Sequence, residues 1–116
     1  MRNYRVREYW LLDSGASCHM TNVISLVHDI ENIKPIHMVL PKGSRTLTIK
    51  RGNASIDSRL KLNNVLFIPV LSCNLISITQ LVEDNICEVT FNKKLCVIWD
   101  LTTMSQIGVL CDIDMP

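Results

Sequence analysis

The sequence predicts a mainly β domain, a small barrel or sandwich carrying one short helix. Three observations predict it. Short apolar runs are broken by Gly, Pro, Asn or Asp about every 8 to 12 residues, the rhythm of an all-β domain. Several runs alternate apolar with polar residues, as half-buried strands do. One segment alone, with Ile78, Leu81 and Val82, carries helical spacing.

The elements follow in order. Tyr9 to Leu12 is a first strand, ending on Asp13. Residues 22–34 stay open between a loop and a short helical turn. His37-Met38-Val39-Leu40 is a strand that leads into the turn-rich "PKGS" at 41–44. Thr46-Leu47-Thr48-Ile49 returns, and "RGN" at 51–53 reads as a further turn. Ala54, Ile56, Leu60 and Leu62 continue the alternation with charges between them. Val65 to Ile68 is unbroken and apolar, as for a strand buried on both faces, and Pro69 ends it. A helix is expected from about Ile76 to Glu83, with Ser77 and Gln80 spaced as a capping box. Strands near Cys87–Phe91 and Leu95–Trp99 flank "NKK", and a last apolar run covers Ile107 to Cys111.

A chain of 116 residues with 47% hydrophobic content supports one compact domain with a real core. Residues 1–8 read as an N-terminal leader, 9–111 as the domain and 112–116 as a tail. The net charge is +1, from 12 basic and 11 acidic residues, which gives no electrostatic reason to expect nucleic acid. The first 58 residues hold 8 basic and 5 acidic side chains, the rest 4 and 6, so the asymmetry is mild. Arg2, Arg5 and Arg7 form a small basic arm, read as solvated. The five cysteines show no C-x-x-C pair, so neither a zinc ribbon nor a redox motif is indicated. No secretory leader is read, so reduced thiols in a cytosolic compartment are expected, most of them serving as small core hydrophobes. No apolar run is long enough to span a membrane as a helix.

The chemistry centres on Asp13-Ser14-Gly15. Two carboxylates about 3 Å apart cannot both ionise and so share a proton. The ionised one takes a proton from water while the protonated one donates to a scissile carbonyl oxygen. Such a site needs a tight turn that delivers a carboxylate to the base of a cleft. Gly15 allows close backbone approach, and Ser14 offers a hydroxyl to tie the loop. The tripeptide by itself more often marks an ordinary Asx turn after a strand.

Longer stretches carry more weight. "WLLDSGASCHMT" at 10–21 resembles the active-site segment of copia-type retrotransposon proteases, the aspartic proteases of gag-pol polyproteins. "LPKG" at 40–43 and "LKLNNVLFIPVLSCNLISITQL" at 60–81 resemble further motifs of that family, in the right order. The segment from Val89 to Gly108 is similar as well. The likeness spans roughly residues 9–108.

The resemblance implies a retropepsin-like fold, a closed β-barrel that is half of a pepsin-type enzyme, with a flap hairpin and one short helix. It implies a homodimer in which each chain supplies one catalytic Asp13. Ser14, Gly15, Ala16 and Ser17 would support the catalytic loop. Leu40, Pro41, Lys42, Gly43 and Ser44 would form the flap and bind substrate. Asn74, Leu75, Ile76 and Ser77 would line the cleft wall. Retroviral relatives carry Gly where Ser77 stands. The implied substrate is a polypeptide, the element's own polyprotein, cut without metal or organic cofactor. No membrane or nucleic-acid partner is implied, and the location is cytoplasmic, virus-like particles included. The chain itself would be an excised domain, a truncated product or a domesticated remnant. Ile107 to Cys111 and the first residues would supply the dimer interface, as interleaved chain ends do in retroviral relatives.

Rival readings are weaker. Cys18 and His19 are adjacent, so on a strand they point to opposite faces and make no nucleophile–base pair. His19 matches a family position, where loop support fits it better than chemistry. His28 and His37 lack ligand spacing. Asp13, Ser14 and His19 lie too close in sequence, without a G-x-S-x-G elbow, to suggest a hydrolase triad. Lys42, Arg45, Lys50 and Arg51 read as solvated hairpin edges. The serious alternative is a non-enzymatic one: a domesticated or inactive retropepsin-like domain acting as a dimeric peptide-binding module.

Overall fold

The computed structural model of the chain describes residues 3–6, 10–13, 15–40, 43–56, 60–91 and 95–113. Ten strands and one short α-helix are found among them. In chain order they are β1 (Asn3–Val6), β2 (Trp10–Asp13), β3 (Met20–Thr21), a 3₁₀ turn (Ile24–Leu26), β4 (His28–Val39), β5 (Arg45–Ser55), β6 (Lys61–Phe67), β7 (Asn74–Ser77), α1 (Ile78–Asp84), β8 (Cys87–Phe91), β9 (Leu95–Asp100) and β10 (Ser105–Ile113). The strands make one sheet in the order β4-β5-β6-β3-β7-β2-β1-β10-β9-β8.

The centre of the sheet sets up everything else. β2 and β7 run parallel, with Asp13 opposite Ser77. β3 returns antiparallel on the other side of β7, Met20 opposite Leu75, and then pairs parallel with β6. The chain leaving β2 therefore crosses the end of β7 before it enters β3. That end is where α1 begins, so the loop after Asp13 and the start of the helix are forced together.

Alternation on these central strands feeds two apolar clusters, one on each face. Leu12, Leu62, Val65, Ile76, Leu81 and Ile98 belong to the first. Met20, Leu40, Leu66, Ile68, Leu71 and Leu75 form the second. Val65 and Leu66 are adjacent yet face opposite clusters, which is why the run from Val65 shows no polar alternation. Of the cysteines, Cys87 and Cys96 sit in the first cluster, and Cys18 and Cys73 pack against the second. Burial pushes the Cys96 thiol up to about 11, so it is a protonated core side chain at neutral pH.

Several expectations need correction. The "RGN" at 51–53 is not a turn but the middle of β5, which runs on to Ser55. Its glycine marks a close approach instead. A Cβ on Gly52 would stand 2.6 Å from the His28 carbonyl oxygen and would also strike Val27 Cγ1. The ambiguous stretch 22–34 resolves into the 3₁₀ turn and the first half of a twelve-residue strand, β4. That strand is irregular between His28 and Glu31 and again between Asn32 and Ile36, which blurs its sequence period. The expected barrel is not closed, because β4 and β8 end the sheet without pairing to one another among the described residues. β1 pairs with both β2 and β10, and β10 pairs with β9, so both terminal strands have both edges occupied within the chain. Tyr9, the "NKK" turn at 92–94, the Arg2 and Arg7 positions and the end of the expected tail lie outside the described residues.

The helix matches its forecast to within two residues and starts at its expected cap. Ser77 has extended backbone, and its side chain accepts the Gln80 amide at 3.1 Å. No helix among the described residues is long and apolar enough to cross a membrane.

Candidate functional site

Asp13 is the last residue of β2 and is only 2% exposed. The apolar residues before it split between the two clusters and anchor the strand beneath it. Its Oδ1 accepts the Gly15 amide at 2.8 Å, and its carbonyl accepts the Ala16 amide at 3.3 Å. This is a tight Asx-type turn that fixes one carboxylate oxygen in place. A buried carboxylate needs such donors, since an unpartnered one is costly to desolvate. Asp13 has no cationic partner in any ion pair among the described residues.

The other expected loop residues are spread around this point. Gly15 and Ser17 are exposed and Ala16 is half-buried. Ser14 lies outside the described residues. The four expected wall residues all sit on β7 and are buried: Asn74 at 5%, Leu75 at 2%, and Ile76 and Ser77 at 0%. Only Ser77 is opposite Asp13 in the ladder. Leu75 and Ile76 point into opposite clusters and hold the strand rather than present a surface in the single chain.

The expected flap is the tip of the β4–β5 hairpin. The Leu40 amide donates to the Ser44 carbonyl and the Gly43 amide donates to the Leu40 carbonyl, both at 2.8 Å. Gly43 has φ +87°, a conformation that a side chain would strain. Leu40 is buried in the second cluster, while Gly43 and Ser44 are exposed. Pro41 and Lys42 lie outside the described residues. Farther down, the Thr48 hydroxyl donates to the Phe67 carbonyl at 2.6 Å and holds the hairpin against the end of β6. Between the hairpin and the loop after Asp13 runs an open groove of about 430 Å³. Cys18 and Ser17 line it on one side, Ile36 to Val39 on the other, with Leu66, Asn64, Arg51 and Gln80 completing it. Asp13 does not line this groove. Arg51 is engaged there by Glu31 at 2.7 Å, so the groove carries no free cation from it.

Three residues, His19, Thr21 and Gln80, tie the loop to its supports, and none of them stands among the expected site residues. His19 is fully buried, and its Nδ1 accepts the Ser77 amide at 3.0 Å. The His19 amide donates to Gln80 Oε1 at 3.0 Å, and its carbonyl accepts the Leu66 amide at 3.0 Å. Burial alone pushes the His19 imidazole down to about 4. Thr21 donates its hydroxyl to Asn74 Oδ1 at 2.6 Å. Gln80 Nε2 donates to the Asn63 carbonyl at 2.6 Å. The Ser77–Gln80 spacing gave a signal for Gln80, but the capping box is only half made. Gln80 turns its side chain to His19 and β6, and the His19 ring takes the Ser77 amide that the box would have assigned to it.

What this arrangement can do chemically is narrow. Around the loop the described residues offer the fixed Asp13 carboxylate, the buried His19 imidazole, held neutral by burial, and the Cys18 thiol, which burial keeps protonated. Among the described residues no three of His, Cys, Asp and Glu cluster to hold a metal ion. The family model of the Pol polyprotein β-barrel domain matches residues 10–86, which include β2, the hairpin, β7 and α1. No curated protein and no solved structure matches the chain.

Proposed function

Because the chain belongs to the Pol polyprotein β-barrel domain family, we propose that it is the aspartic endopeptidase of a copia-type retroelement, active as a homodimer that cuts its own polyprotein. The observation that carries this reading is the Asp13 carboxylate, fixed by the Gly15 amide at 2.8 Å at the end of a core strand and lacking any ion-pair partner among the described residues. Such a group is unfinished chemistry in one chain. A two-fold axis brings a second Asp13 beside it, and the pair then shares one proton. The ionised carboxylate takes a proton from a water, which attacks the scissile carbonyl. The other carboxyl gives its proton to the carbonyl oxygen, and the resulting tetrahedral species collapses with proton transfer to the leaving amine.

In this reading the fold is a retropepsin-like half-enzyme. Ser14 to Ser17 shape the catalytic loop, Leu40 to Ser44 fold down as the flap, and β7 backs the cleft. An extended peptide pairs through its backbone as an added strand. The setting in this reading is the cytoplasm, virus-like particles included. No cofactor, membrane or nucleic acid enters the mechanism.

One observation favours a second reading. Asp13 is 2% exposed in the single chain, so assembly has to uncover it before water and substrate arrive. If it stays covered, the domain is a dimeric peptide-binding module. Peptide cleavage at rising protein concentration separates the two. The protease gives specific activity that climbs with concentration and vanishes in Asp13→Asn. A peptide that binds but stays intact at every concentration establishes the module instead.

A further inference from the structure

We infer that His19 is the positioning residue of the Asp13 loop: neutral, it locks Ser77 beside Asp13, and its protonation in acid releases that lock, so that His19 sets the lower pH limit of the site. The inference deepens the reading above by naming a regulation of the same site, and its structural part stands without catalysis.

The geometry is specific. β7 is sandwiched between β2 and β3, and its last residue, Ser77, is opposite Asp13 in the ladder. The Ser77 amide donates to His19 Nδ1, 58 positions away, at 3.0 Å. Nδ1 is therefore the acceptor, and the ring proton of the neutral form sits on Nε2. That Nε2 is buried and has no hydrogen-bond partner among the described residues. A proton added to Nδ1 would turn the acceptor into a donor facing another donor. The resulting cation would sit in a buried site with no counter-charge beside it among the described residues. The only escape is for the ring to leave its site. Leaving breaks the Ser77 bond and strains the two backbone bonds to Gln80 and Leu66, which join β3 to α1 and β6.

The surroundings supply no rescue. The charged groups on the elements packed around the ring are Asp13 on β2, Lys61 on β6, and Glu83 and Asp84 on α1. The last three are exposed, and Cys18 is the titratable neighbour in sequence. None of them bears on the imidazole, since burial is the sole cause of its depressed titration. Acid therefore acts on the lock through this one ring.

Ring-nitrogen NMR on the full chain tests the inference, with the exposed His28 and His37 as internal references. The expected result is a neutral, Nε2-protonated His19 at about pH 7, whose protonation coincides with loss of the dispersed folded spectrum. A proton on Nδ1, or a His19 that titrates while the fold persists, overturns it. The second arm is His19→Asn, whose side-chain carbonyl can accept the Ser77 amide but cannot be protonated. Its acid-unfolding midpoint should fall by about one pH unit or more. An unchanged midpoint in a folded variant overturns the inference. Should that variant not fold, the wild-type titration still decides. With active protein, the acid limb of kcat/KM should follow the His19 titration. A chain inactive at every pH counts against the protease reading alone, because the folding titration is read without substrate.

Discussion

The Thr21 hydroxyl donates to Asn74 Oδ1 across 2.6 Å in the buried centre of the sheet. The Thr21 Oγ1 also accepts the Val23 amide at 3.1 Å, so one hydroxyl joins β3, β7 and the chain that follows. Thr21→Val removes both roles and takes this donor away from the buried Asn74 side chain. The expected loss is about 1–3 kcal/mol in urea unfolding, with Thr21→Ser recovering most of it.

Ser77 acts through two separable groups. Its side chain caps α1, while its backbone amide goes to His19. Ser77→Ala removes only the cap, so its expected cost is about 1 kcal/mol. His19→Leu removes only the ring acceptor. Because both touch one residue, their effects on denaturation midpoints should depart from additivity, which a double-mutant cycle reads directly.

Gly52 has no room for a methyl group beside the His28 carbonyl and Val27. Gly52→Ala forces β5 away from the start of β4. The expected destabilisation is about 1–3 kcal/mol by thermal or chemical unfolding, as for other overpacked sites.

The pH dependence has a definite sign. His19 titrates at about 4 in the folded chain against an ordinary value of 6.5. Between these values the unfolded chain binds the extra proton, so stability rises with pH. Its contribution is full above about pH 6.5 and is lost as pH falls through about 4. A displacement of this size corresponds to about 3 kcal/mol. Urea titrations across that range should show wild-type stability declining more steeply than that of His19→Asn.

Asp13→Asn keeps an oxygen for the Gly15 amide, so circular dichroism and the unfolding midpoint should stay close to wild type. Peptide cleavage should drop by at least about 10²–10⁴-fold, the usual scale for losing an acid–base group. Retained cleavage would place the chemistry elsewhere in the chain.

Much of the local design was readable in the residues. The run before Asp13 is a core strand, the segment from Val65 is buried on both faces, and Ser77 caps a short helix. Each follows from periodicity or from a contact a few positions away. The irregular β4 was not readable, because its bulges break the alternation that would have marked it. Gly52 reads as a turn in the sequence but lies inside β5, since glycine signals a turn and a close approach with the same letter. The capping box is half made for a similar reason: the spacing is right and Ser77 caps the helix, but a distant ring competes for the Ser77 amide.

By itself the sequence determined a mainly β chain, a fixed acidic turn after a strand, a hairpin with a glycine at its tip and a capped helix. These are encoded by neighbours, through side-chain period and turn chemistry. Only the tertiary structure decided that β7 slips between β2 and β3, that His19 holds Ser77 from 58 positions away, that Asp13 is covered in the lone chain and that β4 and β8 do not close the sheet among the described residues. Those outcomes depend on which distant strands meet and on what their meeting takes out of water, and no local window of residues carries that information.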